Sequence, residues 1–352
     1  MAPALAERVW RTSTPGAIEG ELSALWREIG ERGPVARAMM SNLIVFRKAD
    51  STRRNGERPD MAFGGIPIDD VAARHPSRVI VIDYGRAAES AGEMTADAGI
   101  ATFGPPQARY GVEQIAVRCA SADASLPSLV RRLVRGDLPT SVWWMEDVSR
   151  VAPIPSIVTM GRQLVFDSRR WRDIRRGVLA LAPYIDADRN GDRTSRAPAR
   201  WSQNVDLADV NWRRLMPVRR ALTFAARVSE TAVWQPRDIR ITHRPGDGAL
   251  AWLLMGWLAS RLEWAAGTWP QVEEGQHAED VLSIAIGGSG TGIRAALTRQ
   301  RVLVTCGKSA PSVVGGPHEG EADAVAAELH TLSHDICLHD ALSALLRSFR
   351  AA

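Results

Sequence analysis

The chain has 352 residues, of which 45% are hydrophobic and 24% charged. That composition is globular, and the length suggests about two domains. Three cysteines, Cys119, Cys306 and Cys337, with no C-x-x-C spacing, exclude a disulfide framework and fit a reducing compartment. The net charge is +4, but the segment 162–240 carries 17 arginines against nine acids, so the rest of the chain is net acidic. A basic segment on an acidic body points to a surface that meets something anionic.

Thr14 is placed to cap a first helix, with Pro15 at its first position. Ile18, Leu22, Leu25, Trp26 and Ile29 form its apolar stripe, and Gly33-Pro34 ends it. Val35 to Phe46 reads as a strand, and 48–64 as a polar loop. A short helix runs from Asp69 to His75 and stops before Pro76. The β-branched run 78–82 reads as a central buried strand. Strands are expected at 98–103, 112–119 and 140–144, and a helix at 126–135.

Past Pro153 and Pro155, a short strand covers Val165-Phe166. Helices are expected at 171–182 and 206–227, the latter kinked or split by Pro217, with 186–200 a polar loop between them. A strand follows at 238–243. The helix 249–264 is apolar almost all round and should be buried, with Trp257 and Leu258 in the core. Strands at 281–286, 293–297 and 302–305 precede helices at 321–333 and 336–349. The fold class is therefore α/β in two domains, 1–150 and 151–352, each a mixed β-sheet flanked by helices.

Met1 to Arg11 lacks the apolar core of a signal peptide. The longest apolar run, Ala249 to Ala259, is broken by Gly256 and falls short of the about 20 residues that span a bilayer. A soluble, cytoplasmic protein is expected.

Several motifs are incomplete. Gly307-Lys308-Ser309 resembles the end of a P-loop, but Val302 stands where the first glycine belongs and Pro311 blocks the helix that should follow. Gly290-Thr-Gly292 fits a relaxed dinucleotide fingerprint but lacks its helix, and a hairpin loop over 287–292 accounts for it better. His330, His334 and Cys337 have the spacing of one helical face, with His339 nearby, but Asp335 looks like a cap that divides that face. No G-x-S-x-G, H-E-x-x-H or kinase signature occurs. The expectation is no enzyme, no catalytic residue, no cofactor and no metal.

The most distinctive constellation pairs tryptophan with arginine. Arg169, Arg170 and Trp171 form one cluster, and Asn211, Trp212, Arg213 and Arg214 the other. Either each Trp is core with solvated arginine neighbours, or the clusters form a partner- or anion-binding surface. On either reading the arginines are exposed.

These residues also carry a resemblance. His75-Pro-Ser-Arg-Val-Ile-Val81, Trp143-Trp144, Asp167-Ser168, Asp209-Val-Asn-Trp-Arg-Arg-Leu-Met-Pro217 and Leu253-Leu-Met-Gly-Trp-Leu-Ala-Ser-Arg-Leu262 occur in the order found in the OpcA family, the glucose-6-phosphate dehydrogenase assembly proteins. The chain resembles that family over most of its length. It departs at Met145-Glu146-Asp147, where the family has Gly and Pro after the tryptophans, and at Val218, where the family has an aromatic. The resemblance implies two domains and a non-catalytic assembly factor or allosteric activator of glucose-6-phosphate dehydrogenase. The alternative is a protein that binds a sugar phosphate or nucleotide through its arginines. Nucleic-acid binding is weaker still, because nine acids interrupt the basic segment.

Overall fold

The computed structural model describes residues 3–48, 66–85, 94–119, 125–187, 205–228, 234–275, 280–287, 292–316 and 319–351. The expected polar loops at 48–64 and 186–200 fall almost wholly outside them.

In chain order the elements are β1 (Leu5–Ser13), α1 (Ile18–Arg32), β2 (Ala36–Arg37), β3 (Ser41–Lys48), α2 (Ile68–Arg74), β4 (Ser77–Tyr84), β5 (Thr95–Phe103), β6 (Tyr110–Cys119), α3 (Ser125–Leu133), β7 (Thr140–Trp144), α4 (Pro155–Val158) and β8 (Gln163–Phe166). Then follow α5 (Ile174–Ala180), α6 (Ala182–Ala187), β9 (Asp206–Asp209), α7 (Val210–Arg213), α8 (Met216–Val228), β10 (Ile239–His243), α9 (Gly248–Arg261), β11 (Gln271–Glu274), β12 (Leu282–Ile286), β13 (Ile293–Leu297), β14 (Arg301–Cys306), β15 (Ser312–Gly315), α10 (Glu321–Thr331) and α11 (Ile336–Ala351).

The chain divides into two compact units. The first comprises Met1–Glu146, Pro153–Val165 and Gly320–Ser333; the second comprises Asp147–Ala152, Phe166–Glu319 and His334–Ala352. Both are mixed α/β.

In the first unit the strand order is β1-β5-β6-β4-β3-β7-β8, with β2 beside β6. Strands β6, β4, β3 and β7 are parallel, while β5 and β1 add an antiparallel edge. The parallel strands read as continuous apolar runs because both faces are covered: Val79 to Ile82 are fully buried. Just before that run Arg78 is also fully buried. Its guanidinium pairs with the equally buried Glu113 of β6 and with Glu19 of α1. A buried charge is tolerable only when paired and hydrogen-bonded in this way.

Two sequence expectations change here, and one strand is added. Thr14 and Pro15 form a turn, and α1 starts at Ile18 after Ala17. The strand expected over 35–46 is two strands, because β2 lies on β6 whereas β3 lies between β4 and β7. The edge strand β1 was not anticipated; its register sets Trp10 opposite Gly99, where a Cβ would stand 2.4 Å from the indole.

In the second unit a six-stranded sheet runs β11-β10-β12-β13-β14-β15, antiparallel except for the β10–β11 pair. Helix α9 is buried along most of its length, with Leu258 at 1% exposure and Trp257 at 8%. It crosses α11 at Gly256, where a Cβ would meet the Ala341 carbonyl oxygen at 2.6 Å and Leu345 Cγ at 2.8 Å. Glycine is what lets the two backbones approach.

Candidate functional site

The segment expected as one helix over 206–227 is three elements, β9, α7 and α8. Asp209 makes the difference. Its backbone is extended, and its side chain caps α7 by accepting from the Asn211 amide at 2.9 Å. Pro217 then falls in the first turn of α8, where its missing N–H leaves no helical bond unmade. The helix expected over 171–182 is likewise divided, into α5, which starts only at Ile174, and α6. A 3-10 turn at Ser168–Arg170, capped by Asp167, leads to α5, capped by Asp173. Each Trp-Arg cluster therefore follows an aspartate cap.

One buried polar network joins the two capped turns. Asp209 Oδ1 accepts a second amide, that of Ser168, at 3.0 Å, and Asn211 Nδ2 donates to Ser168 Oγ at 3.0 Å. Arg214 Nη1 donates to Asn211 Oδ1 at 2.9 Å and to Asp247 Oδ1 at 3.0 Å. Arg244 holds the other Asp247 oxygen at 2.6 Å. The second oxygen of Asp209 is buried without a hydrogen-bond partner. Burial, followed by the nearby Asp167 charge, pushes the Asp209 carboxyl up to about 7.

The seven residues singled out in the sequence divide between this scaffold and the surface. Trp171 is buried and stacks on Phe166 at 5.5 Å. Gly177 lies under its ring, where a Cβ would approach to 2.5 Å. Trp212 is 2% exposed, donates to Asp335 Oδ2 at 2.8 Å and carries the Arg219 guanidinium 3.9 Å above its ring. Asn211 is fully buried. Arg213 forms a two-point pair with Glu319, at 2.6 and 2.8 Å. Arg213 and Arg214 have side chains only 18% and 21% exposed, so both differ from the expected solvated arginines. Arg169 folds back on Asp167, with Nε 2.8 Å from Oδ2, yet stays on the surface, as does Arg170. Arg172, Arg175 and Arg176 of the same segment are exposed as well; Arg175 donates to the Phe349 carbonyl oxygen at 2.9 Å and Arg176 lies 3.6 Å from Asp173.

The other motifs resolve into turns and caps. Gly307-Lys308-Ser309 is a turn after β14, closed by the Ser309 amide on the Cys306 carbonyl. Strands β12 and β13 are adjacent and antiparallel, although residues 288–291 of the intervening segment lie outside the described residues. The histidine set is split: α10 ends at Thr331, Leu332 is left-handed, and Asp335 Oδ1 caps α11 at the Leu338 amide. His334 instead faces Asp206, and His339 the Ile185 carbonyl. Among the described residues no group of three or more His, Cys, Asp or Glu side chains could hold a metal, and no helix is long and apolar enough to cross a membrane.

The sequence reading missed the two buried charge networks, at Arg78–Glu113 and at Asp209–Asn211–Arg214–Asp247. An arginine inside a β-branched run and an Asp-x-Asn cap were their only local signals.

Comparison with known proteins places the chain in a family. Residues 68–183 match the model of a glucose-6-phosphate dehydrogenase subunit N-terminal domain, and residues 205–342 that of its C-terminal domain. A protein of Nostoc punctiforme, provisionally named OxPP cycle protein OpcA, is 23% identical over 273 residues, covering 71% of this chain and 53% of its own length. A Synechocystis protein of the same name is 24% identical over 215 residues, covering 58% of this chain and 41% of its own. The chain thus spans about half the length of the curated relatives it matches. Among solved structures, a super-repressor mutant of Gal80p from Saccharomyces cerevisiae covers 88% of this chain and 94% of its own at 8% identity. Its TM-score of 0.41 carries no argument. The two domain models, in order along more than half of the sequence, show that the chain belongs to the OpcA family.

Proposed function

We propose that this protein associates with glucose-6-phosphate dehydrogenase as a non-catalytic subunit that promotes its assembly or raises its activity. The observation that carries the reading is the ordered pair of family models, each described as part of a subunit of that enzyme. Its site of action is then the cytoplasm, where the oxidative pentose phosphate pathway runs.

An effector raises activity only to the extent that it binds the active state of its partner more tightly than the inactive one. A 10- to 100-fold activation requires about 1.4–2.7 kcal/mol of differential binding. A few arginine and aromatic anchors supply energies of that size.

The proposed contact surface is the exposed run of Arg169, Arg170, Arg172, Arg175 and Arg176. Trp171, Asn211, Trp212, Arg213 and Arg214 act behind it by fixing the two capped turns. Arg176, its side chain 76% exposed and 3.6 Å from Asp173, is open to an acidic partner surface. The test is a titration of the dehydrogenase from the same genome with wild-type chain and with Arg170→Glu/Arg176→Glu. Wild type should bind saturably and change the enzyme's rate or oligomeric fraction. The charge reversal should weaken binding, because like charges across an interface cost several kcal/mol. Equal affinities would move the contact elsewhere, and absence of any wild-type effect would end the proposal.

A further inference from the structure

One face of α8 has no role in the network described above. Val218, Ala221, Leu222 and Ala225 turn inward at helical spacing, and α8 packs on β13 and β14. On the opposite side, Met216, Arg219, Arg220, Thr223, Phe224 and Arg227 recur at i, i+3, i+4, i+7, i+8 and i+11. Together with Trp257, Leu258 and Arg261 of α9, and with Trp234, that face lines an open cavity of about 860 Å³ within the second unit. A volume of several hundred cubic ångströms is that of a small-molecule site.

The chemistry of the walls is one-sided. The floor is aromatic and aliphatic. The only charged side chains among the described lining residues are Arg219, Arg220, Arg227 and Arg261. Arg261 is shared with Asp340 at 3.2 Å, and Arg219 lies over Trp212 with its Nε buried and lacking a hydrogen-bond partner. Arg220 and Arg227 are exposed and form no ion pair among the described residues. Phe224, at 67% exposure, is the most exposed large apolar side chain of the described residues. An apolar hollow rimmed by cations concentrates a positive field over a low-dielectric surface. Such a rim disfavours a cation and leaves a neutral ligand's polar end with no charged partner, whereas a carboxylate gains charge-assisted bonds to guanidinium.

We propose that this cavity binds a small amphiphilic anion, an aromatic body bearing a carboxylate, with the ring against Trp257 and Phe224 and the carboxylate on Arg220 and Arg227. The proposal concerns this chain alone and does not depend on its association with the dehydrogenase.

The experiment is isothermal titration of the full chain with 1-naphthaleneacetate and with its neutral counterpart 1-naphthaleneethanol. The acid should bind at one site per chain, at least tenfold more tightly than the alcohol, and the gap should shrink with added salt. Arg220→Gln/Arg227→Gln should lower acid affinity tenfold or more and leave the alcohol unchanged. Phe224→Ala should weaken both ligands. Circular dichroism confirms that each variant is folded, and the two act through different parts of the cavity, so either one tests the assignment. Equal affinities for acid and alcohol, no saturable binding, or acid binding insensitive to both variants would overturn it.

Discussion

Replacing Asp209 by Asn should flatten the pH dependence of the second unit's stability. The Asp209 carboxylate accepts the Ser168 and Asn211 amides through Oδ1 alone, while Oδ2 is buried without a partner. Burial and then the Asp167 charge hold its pKa at about 7, against 3.8 for the free group. The folded value is the higher one, so the native state binds the extra proton. The stabilisation is complete below about pH 4 and is lost as the pH rises through about 7. A shift of about three units corresponds to about 4 kcal/mol at full ionisation, of which about 2–3 kcal/mol falls between pH 5 and pH 8. Asn retains the Oδ1 acceptor and removes the charge. Urea unfolding of both proteins at pH 5, 6, 7 and 8 measures the effect. The stability of Asp209→Asn relative to wild type should rise by about 2–3 kcal/mol across that range. A difference that does not change with pH would refute the placement of an unsolvated carboxyl at the centre of the network.

Gly256→Ala should destabilise by about 1–3 kcal/mol although alanine is the better helix former, because its Cβ must enter the Ala341 backbone contact; a more stable variant in thermal unfolding would contradict the α9–α11 crossing. Trp257→Ala should cost about 3–5 kcal/mol by chemical denaturation, and a loss below about 1 kcal/mol would remove Trp257 from the core. Glu113→Leu should cost about 3–5 kcal/mol, since it leaves the buried Arg78 guanidinium with only the half-exposed Glu19. Arg213→Glu/Arg214→Glu should lower stability markedly by breaking the pairs to Glu319 and Asp247; unchanged unfolding would return both arginines to the solvated surface.

Much of the framework is legible from local pattern. The run Val79 to Ile82 can bury both faces only in a central strand, and the all-round apolar α9 can lie only inside. What escapes is set by long-range contacts. Strand β1 is partly exposed along its length and mixes arginines with apolar residues, so only its pairing with β5 identifies it. Residues 206–227 have helical spacing throughout, yet Asp209 bonds to an amide 41 positions away and begins a new element there. Arg213 and Arg214 look like solvated charges because Glu319 and Asp247 are distant in sequence. The cavity face of α8 is present in the spacing of Arg219, Arg220, Phe224 and Arg227, but only the opposing α9 wall turns that spacing into a site.

Sedimentation velocity on glucose-6-phosphate dehydrogenase from the same genome, alone and with increasing amounts of this chain, tests the central claim most directly when the enzyme's rate is followed on the same samples. A saturable shift to a faster-sedimenting species that contains both proteins, with a parallel change in rate, is the expected result. Dehydrogenase that sediments and turns over identically at every ratio, while the added chain remains folded and separate, would contradict it.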